Sequence, residues 1–294
     1  MIILDGIIVL NKEKNYTSND VVQIVKKTLK EKTGHTGTLD PMATGVLPIL
    51  IGKGTLLSKY IINHDKIYIA KMKLGIKTDT GDITGNIIEK KDVSIECLNK
   101  ERIEKTLIDI TGEIQQIPPM YSAIKVNGKK LYEYARKGQK IQLEPRLIKI
   151  YKAELISILE EEKEIEFRVE CSKGTYIRTL CEMIAEKLGT IGTMTELTRE
   201  KVGDFELEKS ITIGELKENF KNEKFLNKYV INIEEFFSSR EKILLSPRSF
   251  VAFINGVKLF TDNQDGIYRI YDSNQNFVGI GTVNNGILKR DIVI

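Results

Sequence analysis

IKIYKAELISILEEEKEIEFRVECS, residues 148–172, reads as two long strands, Ile148 to Leu159 and Glu164 to Ser172, joined by the acidic turn EEEKE. Upstream, Lys66 to Leu74 (KIYIAKMKL) alternates with period two. Tyr68, Ala70, Met72 and Leu74 fall on one face; Ile67, Ile69, Lys71 and Lys73 fall on the other. Shorter apolar runs at Ile7 to Leu10, Leu47 to Ile51 and Met194 to Arg199 supply further strands. A helix is expected from about Ser18 to Lys32, capped by Thr17 or Ser18, with Val21, Val22, Ile24, Val25 and Leu29 as its apolar stripe. Others are expected over Thr55 to Ile62, Leu98 to Ile110, Thr175 to Leu188 and much of Ile211 to Phe237, with turns at Thr78 to Gly85 and Pro118–Pro119. Strands that return without regular βαβ alternation specify an α+β fold: a mixed, mainly antiparallel sheet flanked by helices. From Ile243 the pattern changes to short strands broken by Gly and Asn, the pattern of a small β-barrel. The expected division is 1–238 and 241–294.

The chain has 294 residues, 41% hydrophobic and 29% charged, so a sizeable core is available. Lys plus Arg number 45 against 41 acids, a net charge of +4, too small an excess to name a partner. Three cysteines (Cys97, Cys171, Cys181) share no CxxC spacing and suit a reducing cytoplasm better than a disulfide framework. Only His35 and His64 accompany them, so local spacing assembles no metal site. The opening MIILDGIIVLNK is short and carries an early Asp5, unlike a signal peptide, and no run is long enough to span a bilayer. A cytoplasmic protein with no membrane partner is expected.

Charge is concentrated at residues 121–152, YSAIKVNGKKLYEYARKGQKIQLEPRLIKIYK. Lys125, Lys129, Lys130, Arg136, Lys137, Lys140, Arg146, Lys149 and Lys152 are opposed there only by Glu133 and Glu144. Tyr121, Tyr132, Tyr134 and Tyr151 are interleaved. Cations to follow a phosphate backbone and aromatic faces to stack on bases are what an RNA-binding insertion needs. A solvated amphipathic helix is the competing reading.

The segment GHTGTLDPMATG (34–45) presents one aspartate, Asp40, between two Gly/Thr-rich turns, with Pro41 holding it out of helical geometry. It is no phosphate-binding P-loop, since GxxxxGK[ST] is absent, and no second carboxylate or histidine stands at triad spacing. Taken alone, these residues fit a turn-capping Asp before proline better. GHTGTLDPMATGVLP, however, resembles the catalytic loop of the TruB family of tRNA pseudouridine-55 synthases. The resemblance continues through DGIIVLNK, TSNDVV, DKIYIAKMKLGIKTDTGD, IPPMYSAIKVNGKKLYEYARKG (the bacterial RNA-contacting insertion, here about 121–150) and CSKGTYIRTL, in order over residues 6 to about 200. The last fifty residues resemble the family's PUA-like barrel more weakly. Where the family usually has Lys-Pro after its first strand, Lys12 is followed here by Glu13.

The resemblance implies isomerisation of the T-loop uridine at position 55 of tRNA, with the base flipped out of the loop. Asp40 would act at C1′ as nucleophile or as stabiliser, and Arg178 would pair with it. Tyr68 would stack on the uracil and serve as general base. His35 would occupy the vacated position and Leu197 would pack on the base, while Lys12, Lys173, Lys129, Lys130 and Arg136 would contact RNA or support the site. Each has a plainer alternative: Tyr68 and Leu197 as core residues, Arg178 as a helix-surface Arg, His35 as a turn residue. The isomerisation oxidises nothing and imports no group, so no cofactor and no metal are expected. A monomer needing no protein partner is expected too. A non-catalytic RNA-binding module would not need Asp40, Tyr68 and Arg178 together. An aspartate-based hydrolase would need a second carboxylate, metal cluster or paired His.

Overall fold

The fold comes from a computed structural model describing residues 4–139 and 141–294. β1 (Gly6–Lys12) leads into α1 (Ser18–Leu29). Thr17 caps α1 in a reciprocal box with Asp20, and Val21, Val22 and Val25 face the core. The helix stops short of Lys32 because Lys30 turns left-handed (φ 57°) and bonds back to the Lys26 carbonyl. β2 (Thr33–His35) and β3 (Thr44–Ile51) follow. The stretch expected as one helix over 55–62 is a 3-10 turn, Gly52–Leu57, running into the single-turn α2 (Ser58–Ile61). β4 (Lys66–Leu74) alternates as the sequence predicts, with every second residue from Lys66 buried.

Next come the hairpin β5 (Ile76–Thr78) and β6 (Ile87–Lys90), then α3 (Lys100–Asp109) and β7 (Gly112–Gln116). β8 (Lys125–Val126), β9 (Lys129–Lys130) and α4 (Leu131–Ala135) make up the basic insertion. β10 (Arg146–Leu159) and β11 (Glu164–Cys171) are the two long antiparallel strands, and α5 (Ile177–Lys187) follows. β12 (Gly192–Val202) extends beyond its expected bounds at both ends before β13 (Phe205–Glu206). The stretch expected to be largely helical breaks into α6 (Ile213–Asn219), α7 (Glu223–Tyr229), strand β14 (Val230–Asn232) and α8 (Ile233–Phe236). There, Thr212, Asn222 and Asn232 each cap a new short helix with a side-chain oxygen.

The main sheet runs β14-β1-β3-β12-β4-β11-β10-β7, with β2 and β13 attached. Along that path every pairing is antiparallel except β3–β12. That parallel seam is brief, Thr44 against Thr198 and Gly45 against Arg199, and it brings the end of the Asp40 loop against the strand that carries Leu197. Apolar faces of α1, α3 and α5 pack on the sheet over Ile8, Leu10, Ile49, Ala70 and Met72. Burial of those methyl and methylene groups is the main stabilising contribution.

The last residues form a second sheet: β15 (Lys242–Leu244), α9 (Pro247–Ile254), β16 (Leu259–Phe260), β17 (Gly266–Tyr271), β18 (Phe277–Asn284) and β19 (Ile287–Val293). Its order, β15-β17-β18-β19-β16, curls as a half-barrel around Phe253. Ile280 and Ile292 join it to the main body by packing with Val9, Leu57, Ile61 and Phe237. Among the described residues no helix is long and apolar enough to cross a membrane.

Candidate active site

The Asp40 loop is held from two sides. On one side the Ser18 hydroxyl accepts the Leu39 N–H at 2.8 Å and donates to the Leu39 carbonyl at 3.1 Å. On the other, the Pro41 carbonyl accepts from the Asn15 N–H at 2.8 Å and from Lys12 Nζ at 3.2 Å. Asp40 lies between these two anchors, and its own carbonyl closes the turn by accepting the Ala43 N–H. Gly45 leaves the loop at φ 105° with its Cα against the Arg199 backbone, where any Cβ would overlap.

Helix α5 delivers the partner. Gln116, buried at the end of β7, accepts the Tyr176 N–H at 2.8 Å and donates to the Tyr176 carbonyl at 3.0 Å, which fixes the start of the helix. Two residues later Arg178 meets Asp40 in a two-point pair, with Nε 2.9 Å from Oδ2 and Nη2 3.2 Å from Oδ1. Its remaining donors go to the carbonyls of Thr80 and Tyr121, both at 2.8 Å. Arg178 is 5% exposed and Asp40 30%, so the arginine is walled in while the carboxylate is partly exposed. Burial pushes the Asp40 carboxyl above its ordinary value; Arg178 is the strongest force opposing that, Asp82 adds to the rise, and Lys12 opposes it.

Asp82 was not singled out in the sequence. It is buried in the turn after β5, accepts from Thr80 and from both the N–H and the hydroxyl of Thr84, and lies 3.9 Å from Arg178. One guanidinium thus serves two acids. The only trace in the sequence was an acid repeated within TDTGD. Arg199 was also missed: fully buried, it donates Nε to Val46 O at 2.8 Å and Nη2 to Gly37 O at 3.2 Å, holding the other end of the loop. An arginine inside a strand flanked by core positions was the signal.

Tyr68 and Leu197 are buried in the same cluster as Leu39 and Met42 beside the loop, on neighbouring strands β4 and β12. Burial raises the Tyr68 phenol above its usual value, and Arg199 opposes that rise. His35 is half-buried on β2; desolvation, then the charge of Arg199, lowers its basicity, and its buried Nδ1 has no partner. Lys12 was expected to contact RNA or to support the site, and its placement fits the second of these. Its side chain is fully buried, and Nζ is taken up by the carbonyls of Glu13, Tyr16 and Pro41, so it supports the loop. Burial lowers it to about 8. Lys173 is exposed after β11 and reaches Asn63.

The basic insertion is not one amphipathic helix. Asn127 and Gly128, both at positive φ, make a tight hairpin between β8 and β9, and the short α4 follows. Lys129 and Arg136 are exposed, and the Tyr132 ring lies between Lys130 and Arg136, 5.4 and 5.3 Å from its centre. Tyr134 instead ties the hairpin down by donating to the Val126 carbonyl. Lys140, counted in the basic stretch, lies outside the described residues. Among those residues no three His, Cys, Asp or Glu side chains gather as a metal site.

A partly exposed carboxylate backed by a buried arginine, with a tyrosine buried beside the same loop, is an arrangement suited to an enzyme site. Residues 25–177 match the family model described as TruB family pseudouridylate synthase, N-terminal domain; 178–238 and 242–291 match two C-terminal models of the same family. The tRNA pseudouridine synthase B of Clostridium kluyveri is 41% identical over 285 residues, covering 95% of both chains. That of Clostridium perfringens is 42% identical over 286 residues, again 95% of both. Among solved structures, the Cbf5–Nop10–Gar1 complex contains a chain that superposes with TM-score 0.70 at 26% identity, over 98% of this chain and 84% of that one. A chain of an H/ACA RNP bound to a substrate RNA gives TM-score 0.71 at 24% identity, a likeness of fold. This chain belongs to the TruB family of pseudouridylate synthases and is an enzyme that isomerises uridine to pseudouridine.

Proposed function

We propose that the substrate is tRNA, as the names of the relatives suggest, and that the reacting uridine is the one at position 55 in the T-loop. The observation that carries this reading is the two-point pair between partly exposed Asp40 and buried Arg178, beside the buried Tyr68 and Leu197. The uridine is flipped out of its stack, at a cost of about a few kcal/mol that stacking and phosphate contacts offset. Asp40, kept ionised by Arg178 against its own desolvation, acts at C1′ as the N1–C1′ bond breaks, either as nucleophile or as stabiliser. Tyr68 stacks on the freed uracil and takes the C5 proton, with Leu197 packing on the same base. His35, uncharged at neutral pH, fills the place the base leaves.

No redox change and no imported group enter this balance, so neither cofactor nor metal is invoked. Residues 1–238 would carry the chemistry and 241–294 a PUA-like RNA-binding unit. The protein would work in the cytoplasm as a monomer without a protein partner. The test is incubation with an unmodified tRNA transcript in the presence of a chelator, followed by mapping of pseudouridine. Modification at a site other than the T-loop uridine would overturn the substrate assignment.

The insertion supplies phosphate contacts in this reading. Replacing Lys129, Lys130 and Arg136 by Ala is expected to weaken tRNA binding. It should also flatten the log–log salt dependence by roughly 0.7–0.9 for each phosphate that is no longer neutralised. Titration of affinity at several salt concentrations measures this, and an unchanged slope would remove the insertion from the interface.

A further inference from the structure

Arg199 is a buried charge of an unusual kind. Its side chain is 1% exposed, and none of the ion pairs among the described residues includes it. Its two hydrogen bonds go to neutral carbonyls, those of Val46 and Gly37. A guanidinium keeps its proton, so holding one in the interior without an acid in an ion pair beside it carries a large desolvation cost. Pinning a loop needs only a neutral donor.

The placement of the charge is specific. In the β4–β12 register Arg199 stands directly opposite Tyr68. Of the groups whose charge acts on the phenol, Arg199, Cys171 and Asp40, only Arg199 is a cation. Lys12, Lys66 and His35 also lie within reach of its field, and each is made less basic by it. Arg199 therefore sets a fixed positive charge, held in no ion pair among the described residues, opposite the tyrosine in a buried setting, where fixed charges act most strongly.

The chemistry supplies a use for it. Once C5 of the rotated uracil joins C1′, the C5–H bond must break. Its electron pair restores the C5–C6 double bond as the C6–N1 double bond opens and leaves its pair on N1, and the proton goes to a base. N1, freed from the sugar, ends protonated, so no proton is consumed overall. Tyr68 can release its phenolic proton towards N1, directly or through solvent, and take up the one released at C5. For that second transfer its oxygen must carry negative charge, which burial opposes.

We propose that Arg199 is a positioning residue for this proton transfer, holding the Tyr68 oxygen in place and balancing its charge before it accepts the C5 proton. The inference rests on the reading of Tyr68 as the base. The test is single-turnover kinetics with tRNA carrying hydrogen or deuterium at uridine C5. Arg199→Met is expected to slow turnover about a hundredfold with tRNA affinity little changed. It should also enlarge the isotope effect over that of the parent enzyme, because C5–H cleavage becomes limiting. Arg199→Lys, which keeps the charge, is expected to fall between the two, and it carries the test alone if the Met variant does not fold. A slow variant with an unchanged isotope effect, or one with unaltered turnover, overturns the proposal. Tyr68→Phe separates the two failures. If it enlarges the isotope effect and the Arg199 variants do not, only the role of Arg199 falls. If it does not, Tyr68 is not the base, and both readings fall.

Discussion

Asp40→Asn is expected to lower turnover more than about 10⁴-fold, the scale seen when the central member of a catalytic unit is removed. tRNA affinity should stay within about threefold, under ~0.7 kcal/mol. The substitution is isosteric, and Arg178 keeps its bonds to the Thr80 and Tyr121 carbonyls and its proximity to Asp82. The loop therefore has no reason to move, and only the charge at C1′ is lost. Stability should change in the opposite direction from activity. The folded carboxyl titrates above its unfolded value of 3.8, so the native state binds the proton more tightly than the unfolded chain. By linkage, ionised Asp40 destabilises the fold at pH above that range, and the disadvantage vanishes as the pH falls through it. The neutral variant should therefore melt at an equal or higher temperature at neutral pH, with the difference closing in acid. Calorimetry from neutral to acid pH, alongside a pseudouridine assay, measures both. Retained turnover would remove Asp40 from the chemistry, and a lower melting temperature at neutral pH would mean that its ionised form stabilises the fold.

What was legible in the sequence follows the range of the interactions involved. The period-two pattern of β4 and the pair β10–β11 could be read directly, because a strand with one face in the core writes its register into successive residues. The residues between Ile211 and Phe237 misled, since Asn222 and Asn232 look like helix-surface polar residues until their side chains are seen starting new helices. At the site, motif resemblance pointed to Asp40, Tyr68 and Arg178, and the fold pairs Arg178 with Asp40 and buries Tyr68 beside the same loop. Gln116, with no local mark, and Asp82 and Arg199, marked only by a repeated acid and by a charge inside a strand, have partners 60, 96 and 153 residues away in sequence. Lys12 shows the converse: a lysine in a charged turn looks exposed, and only the three carbonyls converging on its Nζ explain its burial. Long-range polar contacts leave no periodic trace, so sequence patterning finds the frame and the reacting groups but not the residues that hold them.

Arg178→Met should give the second largest effect, and its pH dependence separates it from a simple loss of folding. Arg178 is the strongest force holding the Asp40 carboxyl down against desolvation and against Asp82. Without it the pKa rises further, so a smaller fraction of enzyme carries the ionised carboxylate at any given pH. The acid limb of the single-turnover pH profile should therefore move to higher pH, with a loss of about 10²–10³-fold on the plateau from the missing fixed charge. Arg178→Lys restores a positive charge but not the planar fork that meets Oδ1 and Oδ2 together, so it should recover much of the acid limb and little of the plateau. Both variants lose stability, because Asp82 and the Thr80 and Tyr121 carbonyls lose a shared donor. Breaking a fully buried pair costs about 3–5 kcal/mol, and the partial exposure of Asp40 places this one at or below the lower end. Profiles measured below each variant's melting temperature keep that loss apart from the chemistry. An acid limb in Arg178→Met that coincides with the parent's would show that Asp40 reaches its ionised form without this arginine, leaving Arg178 only a structural tie between α5, the β5–β6 turn and the start of the insertion.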